Sequence, residues 1–306
     1  MRFAILGSGT MPVKCMELLL REPGAELVLV LADPARETRP TLLDAAKAKG
    51  IPALTCPNVK EASVLSALKE ARADYLLSIN NYQVLSPEIL GLTTYGAINL
   101  HNSALPRYAG SNACSWAILN GEASHGVTWH KIDSGIDSGD ILAQATFPLN
   151  ADSNALSVIL QAMCEGISLF EKFLPALIAG TTVFSPQQGE RSYYVAKDRP
   201  FDGKFPLNAP YVVLERLSRA IQFHPLPNMF FRPRLQLGSA TIDIDAFTIE
   251  PLCTNRAAGT ILSVTDDTVT IATQDAAAHI TQLTDAEGHA LDFRRLGLST
   301  DIAKRA

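Results

Sequence analysis

The chain has no long basic run, no apolar stretch of membrane-spanning length and no CxxC pair, and each absence removes a class of function. Apolar runs such as residues 27–32 fall far short of the roughly 20 residues that cross a bilayer, so no membrane is expected as a partner. With 26 Lys+Arg against 31 Asp+Glu, the formal charge is -5, and nothing in the sequence tracks a phosphate backbone, which disfavours nucleic acid. The five cysteines, Cys15, Cys56, Cys114, Cys164 and Cys253, are odd in number and scattered, without the paired His that would complete a zinc site. No metal is expected, and reduced thiols in the cytoplasm are. Cys114 and Cys164 sit in apolar, helical-looking stretches and read as buried, inert thiols. The N-terminal apolar segment, Phe3 to Leu6, runs straight into a Gly-rich turn and is too short for a signal peptide, so it reads as a first strand.

What is present is an alternating pattern. The length suggests two units. Up to about residue 150, short β-branched or Leu-rich runs alternate with helical segments, as βαβ units on a parallel sheet do. Strands are expected at 2–6, 26–32, 74–79, 96–100, 125–132 and 141–147, and helices at 12–21, 41–49, 61–70, 112–119 and 153–179. Residues 185–210 are polar and rich in Pro and Gly, and read as a linker. A helix at 211–221 and short strands at 234–244, 259–264, 268–273, 279–283 and 290–293 then suggest a small β-barrel-like domain. The expected organisation is an α/β unit over 1–184 with a Rossmann-like, doubly wound, mostly parallel sheet, a linker at 185–210, and an OB-like barrel at 211–306.

Two constellations bear on chemistry. LGSGTMP places a Gly-x-Gly turn after the first strand, with Asp33 after the second. The third glycine of the dinucleotide fingerprint is absent and Pro12 stands at the helix start, so an oxidoreductase or plain binding module is not favoured. The segment from Gly96 to Leu142 is more informative. Asn99 and His101 stand two apart at the carboxyl end of an expected strand, and the period of two puts both side chains on one face. Ligands of open α/β sheets sit at that end. Asp137 lies further on in a turn that carries Gly135 and Gly139, and can fold back over the same crevice. Taken singly, each has a plain structural reading: a turn Asn, a surface His, an Asx-turn Asp.

Together and in register they carry a resemblance. N-x-H-x-S-x-L-P-x-Y-x-G, then A-I-x-x-G-E, H-G-V-T and D-x-G-x-D-x-G-D, resembles the folate-dependent formyltransferases. That family includes methionyl-tRNA formyltransferase, glycinamide ribonucleotide transformylase, sugar N-formyltransferases and the formylation domains of nonribosomal peptide synthetases. SYYVAKDRPFDG and IQFHPLPN resemble the segments that join transferase domain and barrel in its longer members, so the likeness spans the whole chain.

The resemblance implies the formyltransferase fold, 10-formyltetrahydrofolate as formyl donor, and Asn99, His101 and Asp137 as catalytic residues. Attack of an amine on a formyl carbon builds an oxyanion and a cationic nitrogen, so one group must donate and another must take a proton. Asn99 offers a donor that does not titrate. His101 donates to the oxyanion or relays the proton, while Asp137 orients the imidazole and draws that proton directly or through water. The likeness also implies that the pterin packs on the loop 80–85, with Val84 and Leu85 as cofactor-binding positions, and it adds Asp140, for which shaping the loop is an equal reading.

His125 and His130 sit at odd separation on one strand and so face opposite sides, which argues against a shared metal. With His224, His279 and His289 they read as structural or solvated. The expected acceptor is a small-molecule or carrier-tethered amine of natural-product biosynthesis, since Tyr108-Ala109-Gly110 and Ser115-Trp116-Ala117-Ile118 look most like the peptide-synthetase formylation domains. Residues 201–306 hold 10 Lys+Arg against 12 Asp+Glu, too little basic surface for tRNA. A sugar nucleotide, methionyl-tRNA and hydrolysis of the donor by water are the alternatives.

Overall fold

A computed structural model describes residues 1–36, 41–237, 240–253, 255–285 and 289–291. Contacts divide the chain into two compact units: residues 1–110, 125–147 and 160–193 form the first, and 111–124, 148–159 and 194–306 the second.

The first unit is built on a seven-stranded sheet. Strands β1 (Arg2–Gly7), β2 (Glu26–Ala32), β3 (Ala53–Thr55), β4 (Tyr75–Ile79) and β5 (Gly96–His101) lie in the order β3-β2-β1-β4-β5 and pair in parallel. Ser124–Lys131 follows, antiparallel to β5, and Ile141–Pro148 forms the edge. The sheet is thus doubly wound and mostly parallel, as expected. The near-continuous burial of β1, β2 and β4 reflects helices on both faces, which is why these strands read as unbroken apolar runs. β3, at three residues, and the one-turn helix Pro87–Leu90 were not expected from the sequence; neither is long enough to show a periodicity.

The Gly-x-Gly turn after β1 has a packing explanation. A Cβ on Gly7 would lie 2.0 Å from the carbonyl oxygen of Ile79 on the neighbouring strand, so only glycine lets β1 and β4 end side by side. The long helix Ala155–Ile178 is tied to the sheet where Trp129 Nε1 donates to the carbonyl of Gly166 at 2.8 Å, and Trp129, Phe170 and Phe173 form an aromatic cluster beside that bond. Burying side chains of this size contributes on the order of 2 kcal/mol each, so the strand that follows β5 is firmly seated.

The second unit holds the helices Ala113–Leu119 and Tyr211–Ala220 and a five-stranded antiparallel sheet in the order Arg234–Leu237, Ala240–Pro251, Ala276–Thr284, Val269–Ala272, Ile261–Val264. The single strand expected at 234–244 is two strands of an antiparallel pair, Leu237 opposite Ala240, with residues 238–239 outside the described residues. Of the strand expected at 290–293, residues 292–293 also lie outside them. Cys114 is buried as expected and burial pushes its thiol up to about 12, whereas Cys164 is exposed on the solvent face of its helix, a face the apolar composition of the segment hides.

Candidate active site

β5 ends the sheet's parallel part and carries Asn99 and His101 to its carboxyl end. Its antiparallel neighbour sets Asn99 opposite His130 and His101 opposite Thr128. The turn after that neighbour is organised by Asp133, whose carboxylate accepts from Gly135 N–H at 3.0 Å and from Ser138 Oγ–H at 2.7 Å. Gly139 is obligatory in it, since a Cβ there would meet the carbonyl oxygen of Lys131 at 1.9 Å. The turn leaves Asp137 with φ +50°, a left-handed conformation that Asp tolerates better than most residues.

The three residues singled out by spacing lie in one cluster. Nδ1 of His101 is 3.4 Å from Oδ2 of Asp137. His130 completes the group: its Nε2 is 3.5 Å from Asp137 Oδ1 and 3.2 Å from Asn99 Nδ2. The reading of His130 as merely structural is therefore corrected, because its ring contacts both Asn99 and Asp137. His125 does stand apart, bonded to the carbonyl of Asn102 at 2.8 Å. His101 is held differently from the expectation that Asp137 orients it: Nε2–H donates to the carbonyl of Tyr108 at 2.8 Å, and Asp137 approaches the opposite nitrogen.

Electrostatics follow from burial. Desolvation of the buried His101 ring pushes its pKa below the ordinary value, against the upward pull of the Asp137 carboxylate and the Tyr108 carbonyl. Burial alone would raise Asp137, but His130, His101 and the N–H of Gly110, donating at 2.8 Å, hold it down at about 2. At neutral pH the site is a carboxylate beside a neutral imidazole, with Nδ1 unprotonated because Nε2 carries the proton.

A segment expected as linker closes the back of the site. Gln187 Nε2 donates to the carbonyls of Asp137 and Gly139 at 2.9 and 2.8 Å, and Arg191 donates to those of Ile136 and Asp137 at 2.6 and 3.2 Å. Ser192 accepts the N–H of Tyr108 on its hydroxyl at 2.7 Å and that of Ala109 on its carbonyl at 2.9 Å. One strap therefore fixes both the loop that holds His101 and the loop that holds Asp137. Nothing in the composition of 185–193 distinguishes these residues from solvated loop.

The loop 80–85 is ordered by its own side chains: Asn81 donates to the carbonyl of Gln83 at 3.0 Å, and Gln83 reaches Cys56 and Val59. Val84 is exposed while Leu85 is buried in the apolar core, so of this pair only Val84 offers a side chain to a ligand. Asp140 is exposed, and its carbonyl accepts from Lys131 N–H at 2.8 Å. No group of three or more His, Cys, Asp or Glu with metal-holding geometry occurs among the described residues, and no described helix is long and apolar enough to cross a membrane.

An open α/β sheet with Asn, two His and a carboxylate gathered at its strand ends is an arrangement able to bind a ligand and move a proton. The family model described as Formyl transferase matches residues 1–163, and the chain belongs to that family. Among curated relatives, the methionyl-tRNA formyltransferase of Sinorhizobium fredii is 30% identical over 306 aligned positions, covering 96% of each chain. That of Lachnospira eligens is 30% identical over 237, covering 75% of this chain and 74% of its own. Among solved structures, WlaRD, a sugar 3N-formyl transferase seen with dTDP and 5-N-formyl-THF, matches with a TM-score of 0.66 at 20% identity, covering 92% of this chain and 97% of its own. HypX from Aquifex aeolicus in complex with tetrahydrofolic acid matches with a TM-score of 0.66 at 17% identity; this chain spans 46% of it.

Proposed function

We propose that the chain transfers the formyl group of 10-formyltetrahydrofolate to the amine of a small molecule or of a carrier-tethered aminoacyl group. The observation that carries the reading is the convergence of Asn99, His101 and Asp137 at the carboxyl end of β5, on a chain of the formyl transferase family. The donor is a reduced folate in keeping with the solved relatives that bind tetrahydrofolate or its formyl derivatives.

The residues divide the chemistry as their geometry allows. The acceptor nitrogen attacks the formyl carbon, and the oxygen that gains the electron pair takes a hydrogen bond from the Nδ2–H of Asn99. The attacking nitrogen becomes cationic and gives its proton to the bare Nδ1 of His101, where Asp137 stabilises the imidazolium it forms. When the bond from carbon to N10 of the folate breaks, N10 takes a proton back from His101, directly or through water. The products are a formamide and tetrahydrofolate, and the enzyme regains its starting protonation.

Supporting a small or carrier-tethered acceptor are the acidic balance of residues 201–306 and a loop after His101, residues 105–112, that carries a single Arg. The curated relatives named above act on methionyl-tRNA and WlaRD on a sugar, so these are the rival acceptors. A competition assay decides: an aminoacyl carrier and an ornithine-type amine, an amino sugar nucleotide and charged initiator tRNA are offered together, and formylated products are read by mass. Preferred formylation of the carrier or free amine is expected; preferred formylation of the tRNA, weakening steeply with salt, overturns the acceptor assignment.

A further inference from the structure

Thr128 closes the H-G-V-T stretch, to which the proposed chemistry gives no task. It stands opposite His101 on the strand Ser124–Lys131, and it is fully buried, as is Ser103 in the loop that leaves His101. Its hydroxyl makes all three bonds open to it, one as donor and two as acceptor. Thr128 Oγ1–H donates to the carbonyl of Ser103 at 2.6 Å, and Oγ1 accepts the N–H of Leu105 at 3.1 Å. The third bond comes from Gln144 Nε2–H at 2.8 Å, whose other hydrogen reaches the carbonyl of Leu105 at 2.9 Å. Ser103 Oγ–H carries the bracing on to the carbonyl of Arg107 at 2.7 Å, next to Tyr108. Gly126, two positions back on the same face, lets the loop lie this close: a Cβ there would meet the Cβ of Ala104 at 2.9 Å and the carbonyl oxygen of Ala145 at 2.5 Å.

We infer that Thr128 is a positioning residue for the reaction: its hydroxyl fixes the loop 103–107 so that the carbonyl of Tyr108 stays on Nε2 of His101. That contact, at 2.8 Å, has one possible sense, because a carbonyl only accepts and Nε2 must donate whether or not Nδ1 carries a proton. Ser192 holds the far side of the loop through the N–H groups of Tyr108 and Ala109, and Thr128 holds the near side. Without its hydroxyl, the N–H of Leu105 and the carbonyl of Ser103 would be unpaired in a buried place, and the loop would have to shift to satisfy them. The ring of His101 then loses its anchor. The inference rests on the proposed function for its kinetic part alone.

The test reads both the rate and the titration of the His101 ring. Thr128→Val, of matching shape, is expected to lose at least about tenfold in kcat, the scale of a displaced reacting group, with KM for the folate unchanged. Thr128→Ser keeps the hydroxyl and is expected to recover most of that loss. The Tyr108 bond raises the His101 pKa, so in Thr128→Val the ring should titrate at lower pH than in the parent, and in Thr128→Ser close to it. Asp137, His130 and Arg191, the charged and titratable groups that act on this ring, are left in place by either substitution. NMR titration of the ring needs no turnover, and a role confined to stability would lower Tm without moving it. A Thr128→Val rate within twofold of the parent, a His101 titration that does not move down, or a Ser variant as slow as the Val variant would each overturn the inference. Should Thr128→Val fail to fold, Gln144→Ala, which strips the bonds to the Leu105 carbonyl and the Thr128 hydroxyl, decides in its place: a lowered His101 titration is expected, and an unmoved one overturns the inference. A parent enzyme inactive with every amine would remove the proposed function while leaving the titration result standing.

Discussion

Oδ2 of Asp137 lies 3.4 Å from Nδ1 of His101, the ring nitrogen left without a proton by the bond from Nε2–H to the carbonyl of Tyr108. The pair is therefore arranged to receive a proton, and the carboxylate faces the nitrogen on which it arrives. In this arrangement His101 is held in place by the backbone, and Asp137 is free to act on charge.

Replacement of either partner should remove that capacity. His101→Ala and Asp137→Asn are each expected to lower formyl transfer by about a hundredfold or more, the usual scale of lost acid-base help. Thermal melts should remain cooperative. Near-normal turnover in either variant would show that the residue does not act in the reaction.

Titration follows from the same burial. A histidine whose pKa is lowered by folding favours the folded state above its ordinary 6.5 and costs stability as pH falls through that value. The His101 resonances should titrate below 6.5, and lower still in Asp137→Asn, because the carboxylate opposes the desolvation. Asp137 has the opposite consequence: its contribution is present above the ordinary 3.8 and is lost only as pH falls toward about 2. The acid limb of kcat/KM therefore belongs to the imidazole and lies below 6.5, and a limb above 6.5 would contradict the assignment.

The strap of residues 187–192 should matter to rate more than to folding. Gln187→Ala removes two bonds to the loop of Asp137, and Arg191→Ala two more. Each is expected to cost about tenfold to a hundredfold in kcat through misplacement of the carboxylate, with a small shift in Tm. Unchanged kcat in both would show that the loop holds its shape unaided.

Exhaustive chelation should leave activity unchanged, since proton transfer and oxyanion stabilisation are assigned to side chains alone. Loss of activity on chelation, restored by zinc or magnesium, would require a different site chemistry.

The sequence and the structure part company at identifiable places. The period of two in β5 was enough to set Asn99 and His101 on one face, and the glycines around Asp137 marked a turn able to return to it. His130 was not legible. Odd spacing separates it from His125 but does not say which of the two faces the crevice; that depends on the cross-strand pairing of Asn99 with His130. Gln187 and Arg191 were hidden for another reason: a polar, Pro- and Gly-rich stretch has the composition of solvated loop whether or not its side chains bond to distant carbonyls. Gly7 shows the converse, a motif glycine whose place is explained by the approach of Ile79 and not by a ligand.

The most direct test of the central claim is to incubate the protein with 10-formyltetrahydrofolate, with and without a panel of amines, and to read tetrahydrofolate and formylated product together. The account predicts tetrahydrofolate released only when an accepted amine is present, in equal amount to a product heavier by one formyl group, with both signals lost in His101→Ala. Release at the same rate without amine, yielding formate, would mean that water is the acceptor and would contradict the assignment of amine transfer.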